Sequence, residues 1–323
     1  MLEYRVAFRA FVYYLVLLLL TSFFNFILSF TKFSENLFVS KYKENIKIRD
    51  STYHQLSYYY SHAYLLLCRF VGVEIFVSNK IDTNRVLWIS NHRSKFDGPL
   101  IQAFLRANNN DPVSVAKEAV SYYPIVGSFS KHIDTIFVSN NNKDSVLNNL
   151  KTNITKCNKK SILIFPEGST MTPALMAKSK QYATENNLPV FSNLMVPRTA
   201  GYNLIREVGE YSKLGNIIIR YDSPKINDYA SHSYFDLFFV FPKEIYLDIS
   251  YEDITQDLND IFVINDAILS TTINKSSYKQ WGTKLSFSNI FIYAMLALTL
   301  YIPSFRYLLL FYTIIASAYN YFN

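Results

Sequence analysis

The sequence predicts an α/β fold: a mostly parallel sheet covered by helices, with membrane helices at the N- and C-terminal ends. Three observations lead there. Half of the 323 residues are hydrophobic and only 18% are charged, against roughly 25% charged in an average soluble domain. Mean hydropathy is +0.06, between the value of a typical cytosolic enzyme and that of a bundle buried wholly in a membrane. The apolar excess sits mostly at the two ends, and between them short apolar runs alternate with polar stretches. This composition excludes disorder, which requires low hydrophobicity and high charge. With 8 glycines and 10 prolines, it also excludes collagen-like and linker-type chains.

The first element is a membrane anchor over residues 1–32. Residues 10–30 read AFVYYLVLLLLTSFFNFILSF, without a charge, and are about as long as a helix that crosses a hydrocarbon core. A cleaved signal peptide has a shorter apolar run with a small-x-small site close behind it, and neither is found here. Lys32, Lys41, Lys43, Lys47 and Arg49 follow the run, while Arg5 and Arg9 precede it. That bias places the downstream side in the cytosol. Residues 33–80 form a helical segment in which 53–73 mixes Tyr, His and Arg with Leu. This reads equally as an amphipathic helix in the membrane interface and as an ordinary core-packing helix.

Residues 81–250 carry the water-facing α/β domain. Strands are expected at 85–90, 113–116, 135–139, 161–165, 194–197, 216–221 and 244–249. Helices fit between them at 98–106, 144–156, 173–186 and 202–212. Strand–helix alternation of this kind argues for a parallel sheet covered on both faces. Residues 251–286 form a linker with helical character. Residues 287–323 hold a second apolar block, with arms at 287–302 and 307–322 flanking a turn, and Arg306 is its one charged residue. It reads as a hairpin of two short membrane helices or as one kinked, tilted span.

The net charge of +7 comes from 32 basic and 25 acidic residues. There is no Lys/Arg run of the nucleic-acid-binding kind and no zinc-finger spacing, which leaves an anionic membrane surface or an acidic substrate as the partner. Cys68 and Cys157 form neither a metal motif nor a disulfide framework, as suits a reduced, cytosol-facing domain.

Three strand ends carry chemistry. The strand VLWIS runs into Asn91-His92-Arg93-Ser94-Lys95-Phe96-Asp97-Gly98. If a helix begins near Gly98, the Asp97 carboxylate reaches the His92 imidazole, orients it and stabilises its protonated form, so that the histidine can take a proton from a hydroxyl. The spacing alone is a weak signal, because a solvated loop histidine beside a helix-capping aspartate looks the same. The strand SILIF ends in Pro166-Glu167-Gly168-Ser169, where glycine permits close backbone approach to a ligand. A plain turn with an exposed glutamate would read alike. The run LMVPRT sets Arg198 after another strand, to hold a phosphate in its planar fork or to pair with a surface carboxylate. Together the three ends point to a site more strongly than any one of them.

Asn91-His92-x4-Asp97, Phe165-Pro166-Glu167-Gly168-Ser169 and Val196-Pro197-Arg198-Thr199 resemble the ordered blocks of the 1-acylglycerol-3-phosphate acyltransferase family. Residues 165–202 are similar to its lysocardiolipin/lysophospholipid branch in particular. Lys117, Pro124 and Gly127 match the Lys…Pro-x-x-Gly stretch between the first two blocks, and Asp144 matches an aspartate after the next strand. The resemblance covers roughly residues 80–250. It implies a glycerolipid acyltransferase-like fold in an integral membrane enzyme of the endoplasmic reticulum, its catalytic domain facing the cytosol. The reaction implied moves an acyl chain from acyl-CoA, a co-substrate, to the free hydroxyl of a lysophospholipid, with no bound cofactor, no metal and no covalent acyl-enzyme. His92 would be the general base and Asp97 its orienting partner. Asn91, Arg93, Lys117, Glu167, Gly168, Ser169 and Arg198 would bind substrate.

The chain departs from the family pattern at two places. Ser139 and Asn140 stand where many relatives have arginine, and so does Thr170. Both arginines are associated with phosphate in the family, so here Arg198, Lys117, Arg93 or Lys95 would supply the positive charge. The same losses keep open an inactive membrane scaffold or lipid-binding protein that retains the fold; a CoA-independent transacylase is a further alternative.

Overall fold

A computed structural model describes residues 8, 11, 15–25, 45–123, 126–139, 143–157, 160–222 and 242–282. Helix α1 covers residues 15–25, and α2 spans Asn45–Phe70. Then follow β1 (Glu74–Val77), β2 (Leu87–Ser90), α3 (Asp97–Ala107), β3 (Val113–Lys117), α4 (Val126–His132), β4 (Ile136–Val138), α5 (Lys143–Lys156) and β5 (Ile162–Ile164). The remainder is α6 (Pro173–Glu185), α7 (Thr199–Gly209), β6 (Leu214–Tyr221), β7 (Glu244–Glu252), α8 (Leu258–Ser270) and the short β8 (Lys279–Gln280).

The strands form one sheet in the order β4-β3-β5-β2-β6-β7-β1-β8. Pairing is parallel from β4 through to β6 and between β7 and β1; the β6–β7 and β1–β8 pairs are antiparallel. The sheet is thus mostly parallel, as expected, and it starts before residue 81 and ends after residue 250.

Alternation along the strands divides the core into two layers, because successive side chains leave a strand on opposite faces. Leu87, Ile89, Ile162 and Ile164 meet α5, α7 and α8 through Leu150, Ile154, Tyr202, Ile205, Leu258, Ile261 and Phe262. Trp88, Leu163, Ile217, Ile219 and Tyr221 meet α2 and α3 on the other face. Every residue of β6 is buried, as a central strand covered on both sides should be. Gly215 pairs with Trp88, and a Cβ there would come within 2.2 Å of the indole, so the absent side chain makes room for the ring. Behind β6, the amides of Asn216 and Asn265 exchange hydrogen bonds of 2.8 and 3.0 Å and fix α8 against the sheet. Helix α6 starts where Thr172 accepts a hydrogen bond from the Leu175 N–H and Pro173 opens the first turn, both favoured at a helix N-terminus.

Most of the segment 53–73 belongs to α2, whose residues 63–68 are all buried and which packs on α3, as its core-packing reading expects. The strand expected at 194–197 is not one. Its backbone N–H groups go to side chains and a turn rather than to a neighbouring strand: Met195 to Glu167, Val196 to the Ser179 hydroxyl at 2.8 Å, and Arg198 to the Pro166 carbonyl at 2.8 Å.

Among the described residues no helix is long and apolar enough to cross a membrane. Of the span expected at 10–30, only residues 11 and 15–25 are described; the block at 287–322 lies outside the described residues. Helix α1 packs onto the domain. Leu20 and Phe24 enter the core, Thr21 and Tyr60 share a hydroxyl–hydroxyl bond of 3.1 Å, and the Ser128 hydroxyl donates to Asn25 Oδ1 at 3.1 Å. Phe8, Phe11, Leu15 and Leu18 are exposed.

Candidate active site

Strands β3, β5, β2 and β6 are consecutive and parallel, so their carboxyl ends lie side by side, where open α/β sheets hold their ligands. Along that edge the chain places Lys117 at the end of β3, residues 165–169 after β5, residues 91–97 after β2, and Tyr221 at the end of β6.

Asn91 is buried, and its side-chain amide makes both hydrogen bonds that a strand neighbour would make. Its Oδ1 accepts from the Ile219 N–H at 2.8 Å and its Nδ2 donates to the Ile219 carbonyl at 3.1 Å. The end of β2 is thereby clamped to β6, and the amide expected to touch substrate is engaged by backbone. Just beyond the clamp the chain turns: Asp97 opens α3 and folds back over the turn. Asp97 is fully buried. Its Oδ2 lies 3.0 Å from His92 Nδ1 and accepts from the Ser94 N–H at 2.8 Å, while its Oδ1 accepts from the Tyr221 hydroxyl. The His92 side chain keeps 20% exposure and its ring leans on Phe165, centroids 4.4 Å apart.

Glu167 supports the same turn from the other side. It is buried; Oε1 accepts from the His92 N–H at 2.7 Å and Oε2 from the Met195 N–H at 3.0 Å. Burial pushes its carboxyl up to about 7, and the two backbone donors and the nearby His92 and Arg93 charges pull it back. Arg93 is buried as well, one guanidinium nitrogen donating to the Asn193 carbonyl at 3.0 Å.

The second group of expected residues meets beside this turn. Gly168 has φ +70°, and a Cβ there would lie 2.7 Å from Arg198 Nε, so a glycine is needed for both the turn and the close approach of the guanidinium. Lys117 Nζ donates to the Ser169 hydroxyl at 3.2 Å. Burial, and then the charge of Arg198, lower the Lys117 ammonium from its ordinary value. Two cations within electrostatic reach of each other, with a hydroxyl beside them, suit an anionic ligand. Thr170 follows in the same loop, and Ser139 is described beyond β4; Asn140 and Pro124 lie outside the described residues. No group of three or more His, Cys, Asp or Glu side chains is placed to hold a metal ion among the described residues.

Residues 73–201 match the family model described as Acyltransferase. The relatives carry related names. A probable 1-acyl-sn-glycerol-3-phosphate acyltransferase of Arabidopsis thaliana is 26% identical over 141 residues, which is 39% of this chain and 36% of that protein. A lyso-ornithine lipid O-acyltransferase of Pseudomonas aeruginosa is 30% identical over 105 residues, 32% of this chain and 38% of that protein. The chain thus spans under two-fifths of the length of these relatives. In fold, the chain is similar to the crystal structure of the 1-acyl-sn-glycerophosphate acyltransferase PlsC from Thermotoga maritima. The TM-score is 0.52 at 12% identity, covering 83% of this chain and 95% of that one.

Tyr221, Ser94 and Met195 take part in the candidate site and were not among the residues expected from sequence. Ser94 and Met195 act through backbone N–H groups, which no side-chain pattern reveals. Tyr221 had one available signal: it closes the strand expected at 216–221, and so stands at the same carboxyl edge as the other site residues.

Proposed function

We propose that this chain transfers an acyl group from an acyl-CoA thioester to the free hydroxyl of a lysophospholipid. The observation that carries this is a partly exposed histidine backed by a buried aspartate, set next to a Lys117/Arg198 pair suited to a phosphate. With Nδ1 held by Asp97, Nε2 is left as the nitrogen for proton transfer. It takes the hydroxyl proton while the oxygen attacks the thioester carbonyl carbon. Collapse of the tetrahedral intermediate breaks the C–S bond, and the imidazolium returns the proton to the departing sulfur. Asp97 holds the ring in place and steadies the imidazolium. Lys117, Ser169 and Arg198 hold the acceptor's phosphate, with Gly168 keeping the backbone out of its way. Glu167, Asn91 and Arg93 act by shaping the loops. Acyl-CoA enters as a co-substrate, and the reading assigns neither a metal nor a resident cofactor. The apolar ends, residues 10–30 and 287–322, hold the domain to its membrane, on this reading the endoplasmic reticulum with the site facing the cytosol.

The test is transfer of label from acyl-CoA to a panel of lysophospholipids by purified protein in detergent, beside His92→Ala and Arg198→Ala. His92→Ala is expected to lose about 10²- to 10⁴-fold in kcat, the usual worth of a positioned general base. Arg198→Ala is expected to raise the acceptor KM, more for acceptors with an exposed phosphate monoester. Wild-type protein that acylates no acceptor, or a His92 variant that matches it, sinks the proposal. Acyl transfer from intact phospholipid without acyl-CoA would instead establish the transacylase.

A further inference from the structure

We infer that Tyr221 is a positioning residue of the His92–Asp97 pair, setting the direction and the charge of the Asp97 carboxylate that the imidazole faces. The inference rests on the general-base reading of His92 and adds to it a residue that lies outside every sequence block.

A carboxylate has two oxygens and can swing about its Cβ–Cγ bond. Orienting a histidine requires one oxygen to stay on Nδ1, so the other must be held. Here Oδ2 faces His92 Nδ1 and the Ser94 N–H, and Oδ1 receives the Tyr221 hydroxyl. Asp97 and Tyr221 are both buried, at 0% and 1% exposure, so water does not compete for that bond. The tyrosine is itself fixed. Its ring belongs to the core layer that contains Ile217 and Ile219, and its strand is clamped two residues earlier, where the Asn91 amide grips the Ile219 backbone. The clamp and the catalytic turn are one residue apart in sequence, at Asn91 and His92. A shift of β6 is therefore passed to both sides of the pair together.

The hydroxyl also tunes charge. By donating to Oδ1 it withdraws negative charge from the carboxylate. Without it, Asp97 stabilises the imidazolium more strongly and holds it less well in direction. Glu167, which accepts from the His92 backbone N–H and whose carboxyl feels the His92 charge, is untouched by a change at 221.

Tyr221→Phe removes one oxygen and keeps the ring in the core. It is expected to lower kcat about 10-fold with the acceptor KM unchanged, a part of the 10²- to 10⁴-fold that the base supplies. A second readout does not depend on turnover: diethylpyrocarbonate acylates an imidazole only in its neutral form, and its reaction at His92, followed by peptide mass spectrometry across pH, is expected to have its midpoint move upward by about half a unit. Should Tyr221→Phe fold poorly, 3-fluorotyrosine at 221 keeps the bond and strengthens the donor, and its midpoint is expected to move downward. Tyr246→Phe, which loses a hydroxyl bonded to Glu244 instead, serves as the control and should match wild type in both readouts. An unchanged His92 midpoint in the 221 variants overturns the inference, whether kcat falls or not. A silent wild-type enzyme, or an active His92→Ala variant, would count against the general-base reading instead, and the modification profile still decides the role of Tyr221.

Discussion

Glu167 shows how a single carboxylate can tie two loops of the candidate site together through backbone alone. Its two oxygens are taken by the His92 and Met195 N–H groups, so it ties the loop after β2 to the loop before α7. The cost is a charge shut away from water, and burial raises its carboxyl from the ordinary 4.5 to about 7. A folded-state value above the unfolded one has a definite sign. The stability it allows is intact below about pH 4.5 and is lost as the pH rises to about 7, where the folded protein must carry the buried charge. The loss amounts to up to about 3 kcal/mol at 1.36 kcal/mol per unit. Urea unfolding midpoints should therefore fall between pH 5 and 8 more steeply for wild type than for Glu167→Gln, which cannot ionise. The amide can accept only one of the two N–H groups, so the variant is also expected to lose kcat through a displaced His92 backbone. Parallel stability curves for the two proteins would show that the buried charge is compensated by groups other than these.

At the scale of elements, the site depends on how strand ends are terminated. β2 and β5 were legible because an unbroken apolar run stops abruptly at polar residues, VLWIS before Asn91 and SILIF before Pro166, and the edge so created carries His92, Asp97 and Glu167. The segment 194–197 has the same apolar look, yet it is no strand. What decides there is the position of Glu167 and Ser179, which offer acceptors for its N–H groups, and those contacts join residues far apart in sequence. For the same reason Lys117, Ser169 and Arg198 were legible as residue types, while the roles of Asn91 and Arg93 were not: an amide or a guanidinium gives no sign in sequence of whether it faces ligand or backbone. Asn91 supplies the test at this scale. Asn91→Ala leaves both the N–H and the carbonyl of Ile219 buried and unpaired, and the penalty expected is about 1–3 kcal/mol for each group left unsatisfied. It should appear as a lowered thermal midpoint together with a lowered kcat, because the clamp releases both His92 and the strand that carries Tyr221. A variant with wild-type kcat and only reduced stability would separate the clamp from the catalytic turn.

At the scale of the molecule, α1 packs onto the domain where composition alone suggests an anchor. Composition marks residues 10–30 as an anchor because they are apolar and uncharged, but composition is blind to which face turns where. Among the described residues of that stretch, the polar Thr21, Ser22 and Asn25 are buried against the domain with Leu20 and Phe24, and Thr21 and Asn25 are bonded to Tyr60 and Ser128. Phe8, Phe11, Leu15 and Leu18 are exposed instead. A helix that only crossed a lipid core would gain nothing by directing its hydroxyls and amide at α2 and α4, since unpaired polar groups are costly there. Removing residues 1–30 should therefore do more than free the domain from a membrane. It strips the core of Leu20 and Phe24, and core truncations of this size each cost about 2–5 kcal/mol. The truncated chain is expected to unfold at a lower temperature than the full chain in the same detergent, and Phe24→Ala in the full chain should reproduce a large part of the drop while membrane sedimentation is unchanged. Phe11→Ser and Leu18→Ser, on the exposed side, should leave the unfolding temperature within a degree or two of wild type. If truncation releases the domain with its unfolding temperature intact, the contacts of α1 with α2 and α4 contribute nothing to the fold.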